Sequence, residues 1–204
     1  MSKAVLFSIR PEWCLPILDG RKTLELRTVI PKLPFPYKSY LYCSVNGVTL
    51  YRSNDNGKIC IYHKMAHEAF SHHTVFNGKV IAEWICDGML GHCEMANADL
   101  AEQQGLMKRE RIYEYSGFGE KEVKELHISD LKIYDKPKEL SEFYRWWDGV
   151  EDIRPCQNGK KCKYAIYDYT EGCEACAIDF DGTDCPYLKV QRAPQSWCYV
   201  EEQK

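Results

Sequence analysis

The apolar runs of this chain are of strand length and are punctuated by glycine and proline, and that constrains the fold more than any other feature. VLFSI (5–9) and KSYLYCSV (38–45) read as strands, as do GKVIAEWICDG (78–88), HISDLKIY (127–134) and QSWCYV (195–200). TLELRTV (23–29) alternates, with Leu24 and Leu26 on one face and Thr23, Glu25 and Arg27 on the other. Residues 48–64 read as a hairpin turning at 54–57, and IPKLPFPY (30–37), with three prolines, as an extended connector. Helices are few and short. Pro11 suits a first turn, apolar residues at 13, 14, 17 and 18 follow, and Gly20 ends the segment. Residues 97–107 and 119–126 read as two more helices, and the KP at 136–137 as turn-prone. Strands that do not alternate regularly with helices favour an α+β chain with an antiparallel or mixed β-barrel over a parallel sheet.

At 204 residues the chain has room for one well-cored domain and a small appendage. An apolar content of 45% and a charged content of 28% are globular values. No apolar run is long enough for a membrane span, and MSKAVLFSIRPEW lacks a signal-peptide core. A soluble, cytoplasmic protein without a membrane partner is expected. The net charge of −3 gives no general attraction to nucleic acid, so any such binding must use a local basic patch.

Eleven cysteines without an export signal do not read as a disulfide framework. Cys14, Cys43, Cys60, Cys86 and Cys93 are scattered and read as small buried hydrophobes. Residues 148–190 are different: polar, turn-rich and poor in aliphatics, an insertion within a domain made of 1–147 and 191–204. Cys156, Cys162, Cys173, Cys176 and Cys185 follow the spacing C-x5-C-x10-C-x2-C-x8-C. The Cys173/Cys176 clip suits one edge of a tetrahedral structural zinc site, and two of the other three cysteines would complete it. Uncoordinated thiols and an Fe–S or redox pair are the other readings. Cys198 reads as core. Lys160, Lys161, Lys163, Tyr164, Tyr167 and Tyr169, preceded by Trp146 and Trp147, interleave charge and rings as single-strand binders do. Asp179, Asp181 and Asp184 oppose that patch.

The richest motif is GRKTLELR (20–27), which packs four charged side chains directly behind a helix-ending glycine. Lys22 and Arg27 flanking Glu25 favour an ionised, fixed carboxylate, and the remaining donors suit a phosphate or a base edge. A surface ion pair of little worth is the plainer reading. Gly20-x-Lys22-x-x-Glu25-x-Arg27, after the Pro-Glu-Trp opening, resembles the G-x-K-x-x-E-x-R motif of ASCH domains in the PUA-like superfamily. SYLYCSV, GKVIAEWICDG and APQSWCYVEE continue the likeness in order, over most of 4–134 and 191–202. The chain is similar to the small ASCH proteins of bacteria and their phages. The resemblance implies a PUA-like barrel that binds RNA, a nucleotide or a modified nucleoside in a cleft around the motif. Ser8, Arg10 and Arg21 would join Lys22, Glu25 and Arg27 there, with Ser196, Trp197 and Tyr199 from the closing strand. Trp197 and Tyr199 could stack on a base, and core packing is the alternative for Trp197. Glu83, a carboxylate on an apolar strand, is expected to pair with a motif cation.

Some small ASCH proteins resemble hydrolases that deacetylate acetylcytidine with a Lys, a Thr and a Glu. Carried over, the Lys is Lys22, the Thr falls on Glu25, and the acid falls on Gln104 beside Glu102. A ribonuclease is the related possibility, with Lys22 and Glu25 the catalytic candidates and Lys22 and Arg27 steadying a phosphorane. The six histidines match no catalytic motif. A third function is an adaptor that docks a protein partner through the zinc module.

Overall fold

In the computed structural model, described over residues 2–63, 72–93, 98–146, 165–167, 174–176, 189–190 and 192–203, the strand-length runs pair into four sheets. β1 (Lys3–Ile9) leads into α1 (Pro11–Leu18), followed by β2 (Leu24–Arg27), β3 (Tyr37–Cys43), β4 (Thr49–Ser53) and β5 (Ile59–Tyr62). Then come β6 (His73–Val75), β7 (Lys79–Cys86), β8 (Met89–Cys93), α2 (Asp99–Gln103) and α3 (Arg109–Tyr115). β9 (Val123–His127), β10 (Ser129–Glu139), β11 (Ala165–Tyr167), β12 (Glu174–Cys176) and β13 (Trp197–Glu201) complete the order.

The largest sheet runs β10-β7-β3-β1-β13. β1 is parallel to β3 and antiparallel to β13, so the sheet is mixed. Alternation along β1 feeds two cores. Val5, Phe7 and Ile9 join Cys14 and Ile17 of α1, Leu41 and Trp84 on one side. Ala4 and Leu6 join Tyr40, Tyr134, Phe143 and Val200 on the other. Phe7 stacks on Trp84 at 5.3 Å, and Tyr40 meets Phe143 edge-on at 4.9 Å. These ring pairs add specific geometry to the burial of large apolar surfaces. β5-β4-β6 form a second sheet, which includes the expected hairpin, and β2-β9-β8 a third.

Several expectations change. No closed barrel is found among the described residues. Closure requires every strand to have two partners, whereas β10 and β13 are sheet edges and β2 pairs only with β9. Residues 119–126 are not a helix: Val123 to His127 form β9, burying Val123 and Leu126. Burial against the sheet overrides the helix preference of the Glu/Lys run there. The helix expected over 97–107 is only five residues long, and α3, which sequence reading missed, follows it. Pro137 lies inside β10 rather than in a turn, where the register with β7 shifts between Ile133 and Lys138. A proline is tolerated at such an irregularity because no ladder donor is needed. Cys14, Cys43 and Cys86 are buried, and Cys60 and Cys198 partly so.

Among the described residues, no helix is long and apolar enough to cross a membrane. Cys156, Cys162, Cys173 and Cys185 lie outside them. β11 and β12 pair with Ala165 opposite Cys176, and the side chains there are not described. No group of three metal-ligating residues occurs among the described residues.

Candidate ligand-binding cavity

The motif strand is positioned from three directions. Gly20, at φ 76°, turns the chain out of α1 with a backbone that side-chain-bearing residues rarely adopt. The Gln104 carbonyl then accepts from Thr23 N at 3.0 Å and Leu24 N at 3.2 Å, and Thr23 Oγ1 donates to Gln104 Oε1 at 3.2 Å. β9 pairs with the rest of β2, placing Glu25 opposite Leu126 and Arg27 opposite Lys124. Gly105, in the loop after α2, lies close against Leu26 of this strand. A Cβ there would lie 2.5 Å from Ala101 O and 2.9 Å from Leu26 Cδ1.

Lys22, Glu25 and Arg27 are brought together and buried, at 2%, 6% and 8% exposure. Lys22 Nζ donates to Leu24 O at 2.5 Å and Gly105 O at 2.8 Å, and lies 3.6 Å from Glu25 Oε2. Burial pushes the Lys22 ammonium below its ordinary pKa, and the attraction of Glu25 only partly offsets this. Arg27 Nε sits 2.9 Å from Glu25 Oε1, as an ion pair whose N–H is not aimed for a hydrogen bond. Arg27 Nη1 donates to Ser196 Oγ and Nη2 to the Ser8 carbonyl, both at 3.0 Å. Its guanidinium lies 5.5 Å from the Phe7 ring centre. Such a buried network holds only if every charge is compensated, and each of these three has a partner.

Glu25 and Arg27 of this trio lie on one wall of a cavity of about 650 Å³. Glu25, Leu26, Arg27 and Thr28 supply that wall. Ser8, Ile9, Arg10 and Trp13 come from the end of β1 and the start of α1, and Gln195 and Ser196 precede β13. Ser44, Met107, Arg111, Glu114 and Tyr115 close the other sides. Three guanidiniums therefore face two carboxylates, and one of those carboxylates, Glu25, is already paired with two cations. The local balance is positive although the chain is acidic overall.

Of the sequence-derived candidates, Ser8, Arg10, Glu25, Arg27 and Ser196 line the cavity. Lys22 stands behind Glu25 and is not a lining residue. Arg21 is exposed and bound to Asp19, its Nη2 2.6 Å from Oδ2. Trp197 turns away, donating from Nε1 to Val29 O at 2.9 Å and packing edge-on against Tyr199 at 5.2 Å. The Tyr199 hydroxyl accepts from Lys32 N at 2.7 Å, and Lys3 Nζ lies over its ring. Glu83 pairs with no motif cation. Its partners are Tyr134, which donates at 2.6 Å, and the Lys38 and Lys132 ammoniums at 3.4 and 3.9 Å. β10, which carries Tyr134 and Lys132, pairs with β7 and so supplies these groups locally.

Sequence reading missed Trp13 and the α3 wall, where Arg111, Glu114 and Tyr115 are spaced i, i+3 and i+4 on one helical face, with Met107 in the loop before the helix. With Ile112 its only buried residue, α3 offers little apolar periodicity.

No protein-family model matches the chain, and no curated protein matches it. Among solved structures it is similar to the crystal structure of ASCH from Zymomonas mobilis, at 14% identity and a TM-score of 0.46, over 67% of this chain and 73% of that one. It is similar also to two single-residue mutants of that protein. One is 15% identical with a TM-score of 0.45, over 68% of this chain and 77% of that one. The other is 15% identical with a TM-score of 0.44, over 67% and 74%. These matches make the chain similar, over about two thirds of its length, to the structures of one ASCH protein.

Proposed function

We propose that the chain is an ASCH-type, PUA-like binding module that holds RNA or a nucleotide in the cavity over Glu25 and Arg27. The observation that carries this is Arg27. Its guanidinium is fixed by Glu25, Ser196 Oγ and the Ser8 carbonyl, yet it lines the cavity, with Arg10 and Arg111 on other walls. A preorganised arginine recognises planar or anionic groups at low entropic cost. The hydrolase reading draws less support. Lys22 has its N–H groups turned to two carbonyls and Glu25, and it does not line the cavity.

Fluorescence anisotropy with labelled single-stranded RNA, competed by free nucleotides, tests this reading. Arg27→Gln and Arg10→Gln are each expected to weaken binding about tenfold, the worth of one charge-assisted contact. Unchanged affinity in both variants, with melting temperature confirming that they fold, overturns it.

A zinc ion held by four of Cys156, Cys162, Cys173, Cys176 and Cys185 is a separate proposal, supported by the C-x2-C clip in an aliphatic-poor segment. Metal analysis is expected to return about one zinc per chain. A metal-free, folded protein removes it, and with it the zinc-docked adaptor.

A further inference from the structure

Trp13 is the one ring on the α1 wall of the cavity, and two cations address it: Lys22 Nζ lies 5.6 Å and the Arg111 guanidinium 5.4 Å from its centre. The two are not equivalent. Lys22 is 2% exposed and locked to Leu24 O and Gly105 O, so it cannot leave. Arg111 is exposed on α3 and, among the described residues, has no carboxylate within ion-pair distance. Its contact with Trp13 is therefore the kind a stacking ligand can replace, because a base offers a larger planar face than a guanidinium. Arg10 is similar. Its carbonyl caps α1, accepting from Trp13 N and Cys14 N, while its side chain stays exposed at the cavity mouth and without an ion-pair partner among the described residues. The site thus holds one fixed guanidinium, Arg27, two that can move, Arg10 and Arg111, and one aromatic platform, Trp13.

We propose that Trp13 is the base-stacking platform of this cavity, and that Arg111, displaced from that ring, joins Arg10 on the phosphate adjoining the stacked base, so that the site selects a phosphorylated nucleotide unit over the bare nucleoside. This rests on the nucleotide-binding reading of the cavity and goes further by naming the ligand's required charge. Arg27, immobile beneath, is left to the base or sugar edge. Glu114, three residues from Arg111 on the same wall, is the lining carboxylate that opposes the phosphate.

The test is titration of the full chain, followed by tryptophan fluorescence and calorimetry, with the four nucleosides, their 5′-monophosphates and a short single-stranded RNA. The best-bound monophosphate is expected to bind about tenfold or more tightly than its nucleoside. Arg111→Gln should erase most of that preference, weakening the monophosphate more than the nucleoside, and Trp13→Leu should weaken both ligands alike. Trp13→Phe, which keeps a ring and controls for misfolding, should retain most of the binding. RNA bound more tightly than the monophosphate assigns the phosphate to a chain; equal affinity assigns it to a free nucleotide. Nucleosides bound as well as monophosphates, or an Arg111→Gln loss equal for both, overturn this inference while the binding reading stands. If none of the three probes binds, both fail.

Discussion

Among the described residues, Glu25 and Glu83 are each flanked by two cations, and Glu25 lines the cavity over Arg27. Glu25 lies between Lys22 and Arg27 with side-chain exposures of 8%, 2% and 10%. Glu83 lies between Lys38 and Lys132, at 17%, 20% and 73%. From charge alone the two look alike. They differ in what else holds their cations. Lys22 is tied to two backbone carbonyls and Arg27 to Ser8 and Ser196, so the first cluster joins β1, β2, the α2–α3 loop and the segment before β13. The second joins neighbouring strands of one sheet, with Tyr134 its closest partner. A carboxylate with two cations becomes a binding-site wall when its cations are anchored elsewhere and still face open space.

The sharpest way to break this comparison is to remove an anchor. Lys22→Ala leaves Glu25 with one cation and strands the Leu24 and Gly105 carbonyls. About 3–5 kcal/mol of unfolding free energy should be lost in urea melts, the usual range for breaking a buried pair. A loss below about 1 kcal/mol would make the trio no different from a surface pair. Gly105→Ala should cost less, about 1–3 kcal/mol, because the new methyl group meets Ala101 O and Leu26 and shifts the carbonyl that Lys22 uses. It should also weaken ligand binding, which would show that the loop and the cavity are coupled.

Glu83→Gln should be mildest, about 1 kcal/mol for one weakened hydrogen bond to Tyr134, with RNA or nucleotide affinity unchanged. Its signature is the acid limb of the stability curve. Burial raises the Glu83 carboxyl, but Tyr134 and Lys38 outweigh it, and the net shift is downward from 4.5. A lowered carboxyl stabilises the fold above its unfolded pKa, and that stability is lost as pH falls through the folded value. The wild-type protein should therefore lose stability below about pH 4.5 more steeply than Glu83→Gln, as followed by thermal melts. Identical acid limbs would remove Glu83 from the account.

Much of the fold was legible because strands buried on both faces write short apolar runs, bounded by turn residues, into the sequence. β1, β3 and β7 were found that way, the β4–β5 hairpin from its turn, and α1 between Pro11 and Gly20. β9 was misread because Glu120, Lys121, Glu122 and Lys124 favour helix, while Val123 and Leu126 are the apolar residues buried there and the third buried residue, Glu125, is charged. α3 was missed because its cavity face is polar. Alternation put Glu25 and Arg27 on one face, strand order added Ser8, Arg10 and Ser196, and all five line one cavity, together with Leu26 from the other face of β2. Trp197 was misplaced because the strand period gives a face but not the direction of a ring at the sheet edge. There its Nε1 finds the Val29 carbonyl instead of the cavity.

By itself the sequence determined most strands of the largest sheet and the charged trio behind Gly20, since those depend on spacing within a few residues. Only the tertiary structure decided that Lys22 is an anchor and not a ligand contact, that Trp13 and Arg111 share the cavity, and that Glu83 belongs elsewhere. Each of those outcomes depends on groups far apart in the chain, as with Lys22 and the Gly105 carbonyl. No local periodicity records which distant donor will meet which acceptor once both are withdrawn from water.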